Sequence, residues 1–396
     1  MATGVAQSGA NPALSPRSTR PHRFRGSWIV WILVLLVAGI ACNRLRYDLR
    51  SYALLTHFVD PKSDGPLLRY ESYLVRTEEV SIPTPHGAVR GRLYLPIGIA
   101  HPTGLMAVHG IHHLGIDEPR LMNFCRAVAE SGFAVLTPQL DALADFHVDD
   151  ASIVTIGESA AWFDQRLGGR RVMVTGVSFA GGLSLLAARN PLYAPHMRAL
   201  VLMGAYDDLA RVSRFLATSQ EELPDGRSIP FPAHDYGASV FVYAHLDQFF
   251  PAADLPAAHE ALRDWLWEQP EKAEQVLDRL SPASRATMEA LIARRIDLVR
   301  GRILDAIKAD RAELAALSPH GQIADLRVPV FILHGADDNV IPPAESLWLE
   351  REVPDSQLRD VLITTAFSHV DPKKQPGLYE ELRLVHFLGS VLRALS

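Results

Sequence analysis

The chain has 396 residues, 48% of them hydrophobic and 21% charged, with a formal net charge of −6. That balance suits one large domain with an insertion, or two domains. Its mild acidity excludes nucleic acid as a main partner, because phosphate binding needs a concentrated basic face.

Residues 1–26 are rich in Ser, Pro and Arg, no acid precedes Asp48, and they read as a disordered basic N-terminus. Arg17, Arg20, Arg23 and Arg25 lead into an apolar run from Trp28 to Cys42. At about 1.5 Å per residue that run spans roughly 22 Å, short of the ~30 Å hydrocarbon core unless flanking residues snorkel or the bilayer thins. It also fits the upper length range of a signal-peptide core, with Gly39-Ile40-Ala41 as a small-x-small cleavage site. Cys42 raises lipoprotein processing, although Gly39 stands where such signals carry a branched residue or leucine. The expectation is a membrane anchor over 27–43 or a cleaved signal, and either exports the rest of the chain to the periplasmic or extracellular side. Residues 44–70 continue as a helix-like linker.

VSIPTPHGAVRGRLYLP (80–96) reads as two strands around a Pro-His-Gly turn. Strand-like runs then alternate with helical patterns: GLMAVHG, GFAVLTPQL, RVMVTGVS and ALVLMGAY, and later VPVFILHG and DVLITT. Such alternation predicts a mostly parallel sheet with helices on both faces, built from residues 71–208 and 327–396. Cys125, in an amphipathic helix between two of these runs, reads as a small buried apolar residue. With only Cys42 beside it, no disulfide framework is available. From 209 to 326 the alternation stops and helical periodicity takes over, which predicts a helical cap inserted between two strands of the sheet. Its charges, mixed in sign, read as a solvated face. Trp265 and Trp267 are either packing residues or a pocket wall.

Two serines sit in a G-x-S-x-[G/A] pattern, and context separates them. Around Ser159, the residues Ile153, Ile156, Ala160, Phe163 and Leu167 repeat every three or four positions, one face of a helix. Asp149 or Asp150 would cap that helix and Gly168-Gly169 would end it. Ser178, in contrast, follows the strand run VMVTGV and opens the helix GGLSLLAARN. A serine on such a turn adopts a strained backbone that lifts its Oγ above the sheet, and its neighbours two positions away must be small. Gly176 meets that need and Ala180 adds one methyl. The Phe179 N–H, at the start of the helix, would face developing negative charge.

A serine hydroxyl needs a base to take its proton and an acid to orient that base. The acidic turn ADDNVIP (336–342) follows one late strand, and AFSHVD (366–371) follows the next. The order Ser178, Asp338, His369 is that of one known triad arrangement, each residue lying past the C-terminal end of a strand.

With these motifs in place, the chain resembles the α/β-hydrolase fold serine hydrolases over roughly residues 75–208 and 326–396. The resemblance implies Ser178 of G-V-S-F-A as nucleophile and Asp338 of H-G-A-D-D-N-V-I-P as acid, Asp337 being the alternative. F-S-H-V-D implies His369 as base. Val108-His109-Gly110-Ile111 resembles the loop that supplies the second oxyanion donor, here the Ile111 N–H beside that of Phe179. His109 and Gly110 then support that loop, and His112 or His113 stands at the pocket mouth. No metal is expected, since no carboxylate or cysteine is spaced to complete a site with those histidines, and no cofactor is needed. His334 reads as a structural turn residue. The expected activity is hydrolysis of a small-molecule acyl substrate, a carboxylic ester first, through an acyl-enzyme. The same triad in a peptidase, amidase or acyltransferase is the alternative, and a non-catalytic binding protein a further one.

Overall fold

A computed structural model describes residues 27–63, 65–66, 72–234, 236–366 and 377–396, together with Met1 and Gly4. The chain divides into one unit from Met1 to Leu45 and a second from Arg46 to Ser396. Helix α1 runs over Ser27–Val59. Among the described residues no helix is long and apolar enough to cross a membrane, so the expected anchor or signal segment finds no support in the fold.

The second unit is built on an eight-stranded sheet of order β1-β2-β4-β3-β5-β6-β9-β10. Its strands are β1 (Val75–Thr84), β2 (Gly87–Pro96), β3 (Gly104–Val108), β4 (Ala134–Pro138), β5 (Val172–Val177), β6 (Met197–Met203), β9 (Val330–Gly335) and β10 (Leu358–Thr364). β1 and β2 form an antiparallel hairpin, β2 runs antiparallel to β4, and the remaining pairs are parallel. Alternation within a strand feeds two cores. Met106 and Val108 join one apolar cluster, Leu105 and Ala107 the other. Both faces are therefore covered by helices, as a continuous apolar run in a parallel strand requires.

The longer helices between the first strands are α2 (Pro119–Glu130), α3 (Asp150–Arg166) and α4 (Phe179–Arg189), with a single turn at Asp141–Ala144 before α3. Asp149 caps α3 by accepting from the Ser152 N–H at 2.9 Å, and Ser159 lies buried in mid-helix. Cys125 is buried in α2, and burial pushes its thiol pKa up, away from thiolate chemistry.

Between β6 and β9 come α5 (Leu209–Thr218), α6 (Gly237–Ala244), α7 (Leu255–Leu266), α8 (Pro270–Val276), α9 (Pro282–Ile292), α10 (Arg300–Ala309) and α11 (Arg311–Ala316). The segment is not wholly helical. β7 (Gln220–Glu222) and β8 (Ser228–Pro230) pair as a small hairpin around a turn in which Gly226 has φ 87°. Three-residue strands are too short to print a period on the sequence. After β9, α12 (Ala344–Glu352) precedes β10, and α13 (Leu378–Leu395) ends the chain.

Not all charges of this segment are solvated. Arg211 on α5 is buried, its Nε 2.5 Å from Glu345 Oε1 and its Nη2 2.7 Å from Asp207 Oδ2, and both carboxylates are fully buried. Glu345 also accepts from the Asp207 and Asp208 N–H groups at 2.8 and 3.0 Å. The exit of the cap is tied to the same point: His320 N–H donates to Asp207 O at 3.0 Å, and Ser318 Oγ accepts from Leu209 N–H at 2.9 Å. One guanidinium thus bridges two buried acids at the neck where the cap leaves and rejoins the core, with His320 Nδ1 also 3.1 Å from Asp207 Oδ2, and burial beside Glu345 pushes the Asp207 pKa up. Arg211→Met leaves those acids without their cation, and it should cost about 3–5 kcal/mol in urea unfolding near pH 8. The cost should shrink toward pH 5 as Asp207, whose pKa is raised to about 6, takes up a proton; a cost independent of pH would contradict this account of the neck.

Candidate active site

The strand order reverses at β3, whose neighbours are β4 on one side and β5 on the other. Open α/β sheets form a crevice at such a switch, outside the carboxyl ends of the strands. The loop after β3 carries His109, Gly110 and Ile111, and the turn after β5 carries Ser178. In register Val108 pairs with Gly176, so the two segments leave the sheet side by side.

Ser178 has φ 56° and ψ −130°, a left-handed conformation that a non-glycine residue holds only when its surroundings enforce it. Three features enforce it here. The Ser178 N–H donates to Met203 O at 2.8 Å, and Ser178 O accepts from the Gly181 N–H at 2.9 Å. Gly176 has no room for a side chain, since a Cβ there would lie 2.7 Å from Gly181 Cα and 2.8 Å from Ala180 O. Gly181 and Gly182 are equally hemmed, by Ala205 and by the Tyr206 ring, so α4 lies directly against the β6 end. The tight approach to Gly176 therefore comes from the Ala180 and Gly181 backbone, and Ala180 itself is fully buried.

Gly110 completes the approach. A Cβ on it would sit 3.0 Å from Ser178 Cβ and 3.6 Å from Ser178 Oγ, so the loop backbone passes beside the serine. His109 fixes that backbone. Its Nε2 accepts from the Leu140 N–H at 2.9 Å, which leaves the proton on Nδ1, where it donates to Gly110 O at 2.8 Å. Burial holds the ring neutral, its pKa lowered to about 4 with partial compensation from the Gly110 bond. Between pH of about 6.5 and 4 the unfolded chain binds a proton at this position that the folded chain refuses, so stability falls as pH falls. Compared with His109→Gln, the wild type should lose roughly 3 kcal/mol more between pH 7 and pH 4 in chemical unfolding. Parallel pH profiles of the two proteins would refute this role.

Phe179 is the first residue of α4, so its N–H belongs to the helix-end donors that no intrahelical carbonyl satisfies. Ile111 and Phe179 both line the cavity that holds Ser178, whose volume is about 820 Å³.

Asp338 follows β9 and is fully buried, whereas Asp337 is exposed. Asp338 Oδ1 accepts from the Val340 and Ile341 N–H groups, both at 3.0 Å, and Oδ2 lies 3.4 Å from His334 Nε2. His334 is buried inside this turn, with Nδ1 2.6 Å from Ser346 Oγ and Nε2 2.9 Å from Ile341 O. Asn339 and Val340, beside Asp338, line the same cavity as Ser178. His369 lies outside the described residues; Thr364, which pairs with Gly335 in register, is near the last residue described before it.

Other residues reach the cavity without a motif to announce them. Tyr236 lines it, its pKa pushed up to about 12 by burial and the Asp338 charge. Trp265 lines it from the cap, while Trp267 stacks on His113 at 5.8 Å and His113 on His112 at 4.7 Å. Gln139 Oε1 accepts from the Ile116 N–H at 3.1 Å and props the far end of the β3 loop. Phe58, from α1, lines it as well. The sequence already offered Trp265 as a pocket wall and His112 or His113 at the mouth, and all three line the cavity; only spatial closeness identifies Tyr236 and Phe58, the helical period of α1 being the one signal that points toward Phe58.

No curated protein matches the chain in sequence. Among solved structures it is similar to an esterase from Pyrobaculum calidifontis, with 16% identity over 88% of this chain and 91% of that one and a TM-score of 0.45. It is similar also to the esterase domain of a Rhodothermus marinus protein, with 13% identity, coverage of 80% and 96%, and a TM-score of 0.39. A third is the Pyrococcus horikoshii acylaminoacyl peptidase, with 11% identity, coverage of 80% and 41%, and a TM-score of 0.45, so the chain spans less than half of that protein. The model of a family described as the alpha/beta hydrolase fold matches residues 129–366, more than half of the chain. Taken with the eight-stranded, mostly parallel sheet, that match shows that the chain belongs to the α/β-hydrolase fold family.

Proposed function

We propose that the protein is a serine hydrolase that cleaves carboxylic esters through an acyl-enzyme. The observation that carries this reading is Ser178, held at φ 56° between a strand and a helix with Gly110 packed against it. In this mechanism His369 takes the Ser178 Oγ proton as the oxygen attacks the acyl carbonyl. The N–H groups of Ile111 and Phe179 stabilise the oxyanion, and Asp338 orients the imidazole and balances its charge. His369 then gives the proton to the departing alcohol. Water, deprotonated by the same ring, releases the acid and restores the serine.

A second reading, a peptidase or amidase with the same residues, is favoured by one observation. Glu268 and Arg294, on the cap, line the same cavity as Ser178 and are held at φ 60° and 58° just past the ends of their helices. Charges placed there suit a substrate with a charged end. A p-nitrophenyl ester series run beside aminoacyl p-nitroanilides separates the two: ester turnover far above amide turnover is expected, and amide turnover alone would overturn the ester reading. A fluorophosphonate probe tests the shared core, since intact protein that resists labelling is not a serine hydrolase of this kind.

A further inference from the structure

The last fourteen residues of α1 lie outside the family-matched span and outside the cap, yet they dock on the core. Tyr47, Ser51, Leu54, Leu55 and Phe58 recur three or four residues apart and form the docked face, with Ser51 and Leu54 buried, while Leu49, Tyr52 and Val59 face outward. Polar contacts fix the helix: Ser51 Oγ donates to Val385 O at 2.5 Å, His57 Nδ1 lies 3.2 Å from Glu130 Oε2, and Asp48 Oδ1 lies 3.5 Å from His386 Nδ1. So held, Phe58 meets Phe124 of α2 edge-on, with ring centroids 5.8 Å apart at 81°.

Phe58, Leu121 and Phe124 all line the cavity that contains Ser178. α2 begins just after the loop that carries Gly110 and Ile111, so one continuous wall runs from the serine past that loop to the apolar trio. The charged lining is Glu268 and Arg294 of the cap together with the paired Glu118 and Arg120 just before Leu121, and α1 contributes apolar surface instead. A cavity of about 820 Å³ is large for a short acyl group. Resting on the serine-hydrolase reading, we propose that α1 is part of the substrate site: Phe58 contacts the far end of an apolar acyl chain and sets the chain-length preference. The substrate class is then esters of extended, apolar carboxylic acids.

The test uses the full-length protein and two probes, ethyl- and dodecyl-phosphonofluoridate, with the rate of Ser178 labelling as the readout. The alkyl group on phosphorus stands in for the acyl chain. Wild type should react faster with the dodecyl probe. Phe58→Ala should slow that reaction about tenfold, through lost apolar contact, and leave the ethyl rate within about twofold. Phe58→Leu keeps most of the packing and should fall between, which preserves the test should the alanine variant fail to fold. A dodecyl preference absent from wild type, or unmoved by either variant, overturns the proposal, as does equal slowing of both probes. Wild type that neither probe labels overturns the serine-hydrolase reading itself, a distinct outcome.

Discussion

Ser178→Ala is expected to lower ester hydrolysis by a factor on the order of 10⁴–10⁶ and to abolish fluorophosphonate labelling. The size follows from the proposed mechanism, in which no acyl-enzyme forms without Oγ and only the modest rate enhancement from oxyanion donors and substrate binding remains. The fold should be untouched. Serine and alanine carry the same strain at φ 56°, and the enforcing contacts are backbone bonds to Met203 and Gly181 with the glycine at 176 beneath them. The thermal midpoint should therefore stay within about 3 °C of wild type, which separates a chemical defect from unfolding. Ser159→Ala is the matched control, because Ser159 shares the sequence pattern but lies buried in the middle of α3. Its labelling should equal that of wild type. Labelling that survives Ser178→Ala would place the nucleophile elsewhere.

What could be read from the sequence was what is local. Each strand of the parallel sheet is a short apolar run, and the turns after β3, β5 and β9 declare themselves by small or acidic residues within a few positions of the strand end. Periodicity assigned Ser159 to a helix for the same reason, since its neighbours three and four positions away carry the signal. Features made of distant partners left no such trace. The neck joins Asp207 and Arg211 to Glu345 across the whole cap, and in the sequence Arg211 is one more charge in a mixed-charge helix. Phe58 reads as the end of a helix-like linker, and only its meeting with Phe124 gives it a place in the cavity. Short strands such as β7 and β8 fall below the length at which a period of two can be told from chance.

On the proposed mechanism, Asp338→Asn should lower kcat by about 10³–10⁴-fold with little change in KM for short esters, because Asp338 is there the anion that fixes and balances the imidazole of His369. The site explains why an isostere fails. Asp338 Oδ1 accepts two backbone N–H bonds, from Val340 and Ile341, and Oδ2 faces His334 Nε2 at 3.4 Å. Nε2 also faces Ile341 O at 2.9 Å, a carbonyl that can only accept, so this nitrogen carries the ring proton. An asparagine must turn its NH₂ either toward the two backbone donors or toward the His334 N–H. In both orientations a donor meets a donor, inside a turn with no exposure to water. A stability cost of about 1–3 kcal/mol should accompany the rate loss and be visible in urea unfolding. Asp337→Asn, one residue away and exposed, is the discriminating partner experiment: it should leave both rate and stability near wild type. Were Asp337→Asn the variant that loses activity, the acid would have been placed one residue too late in this turn.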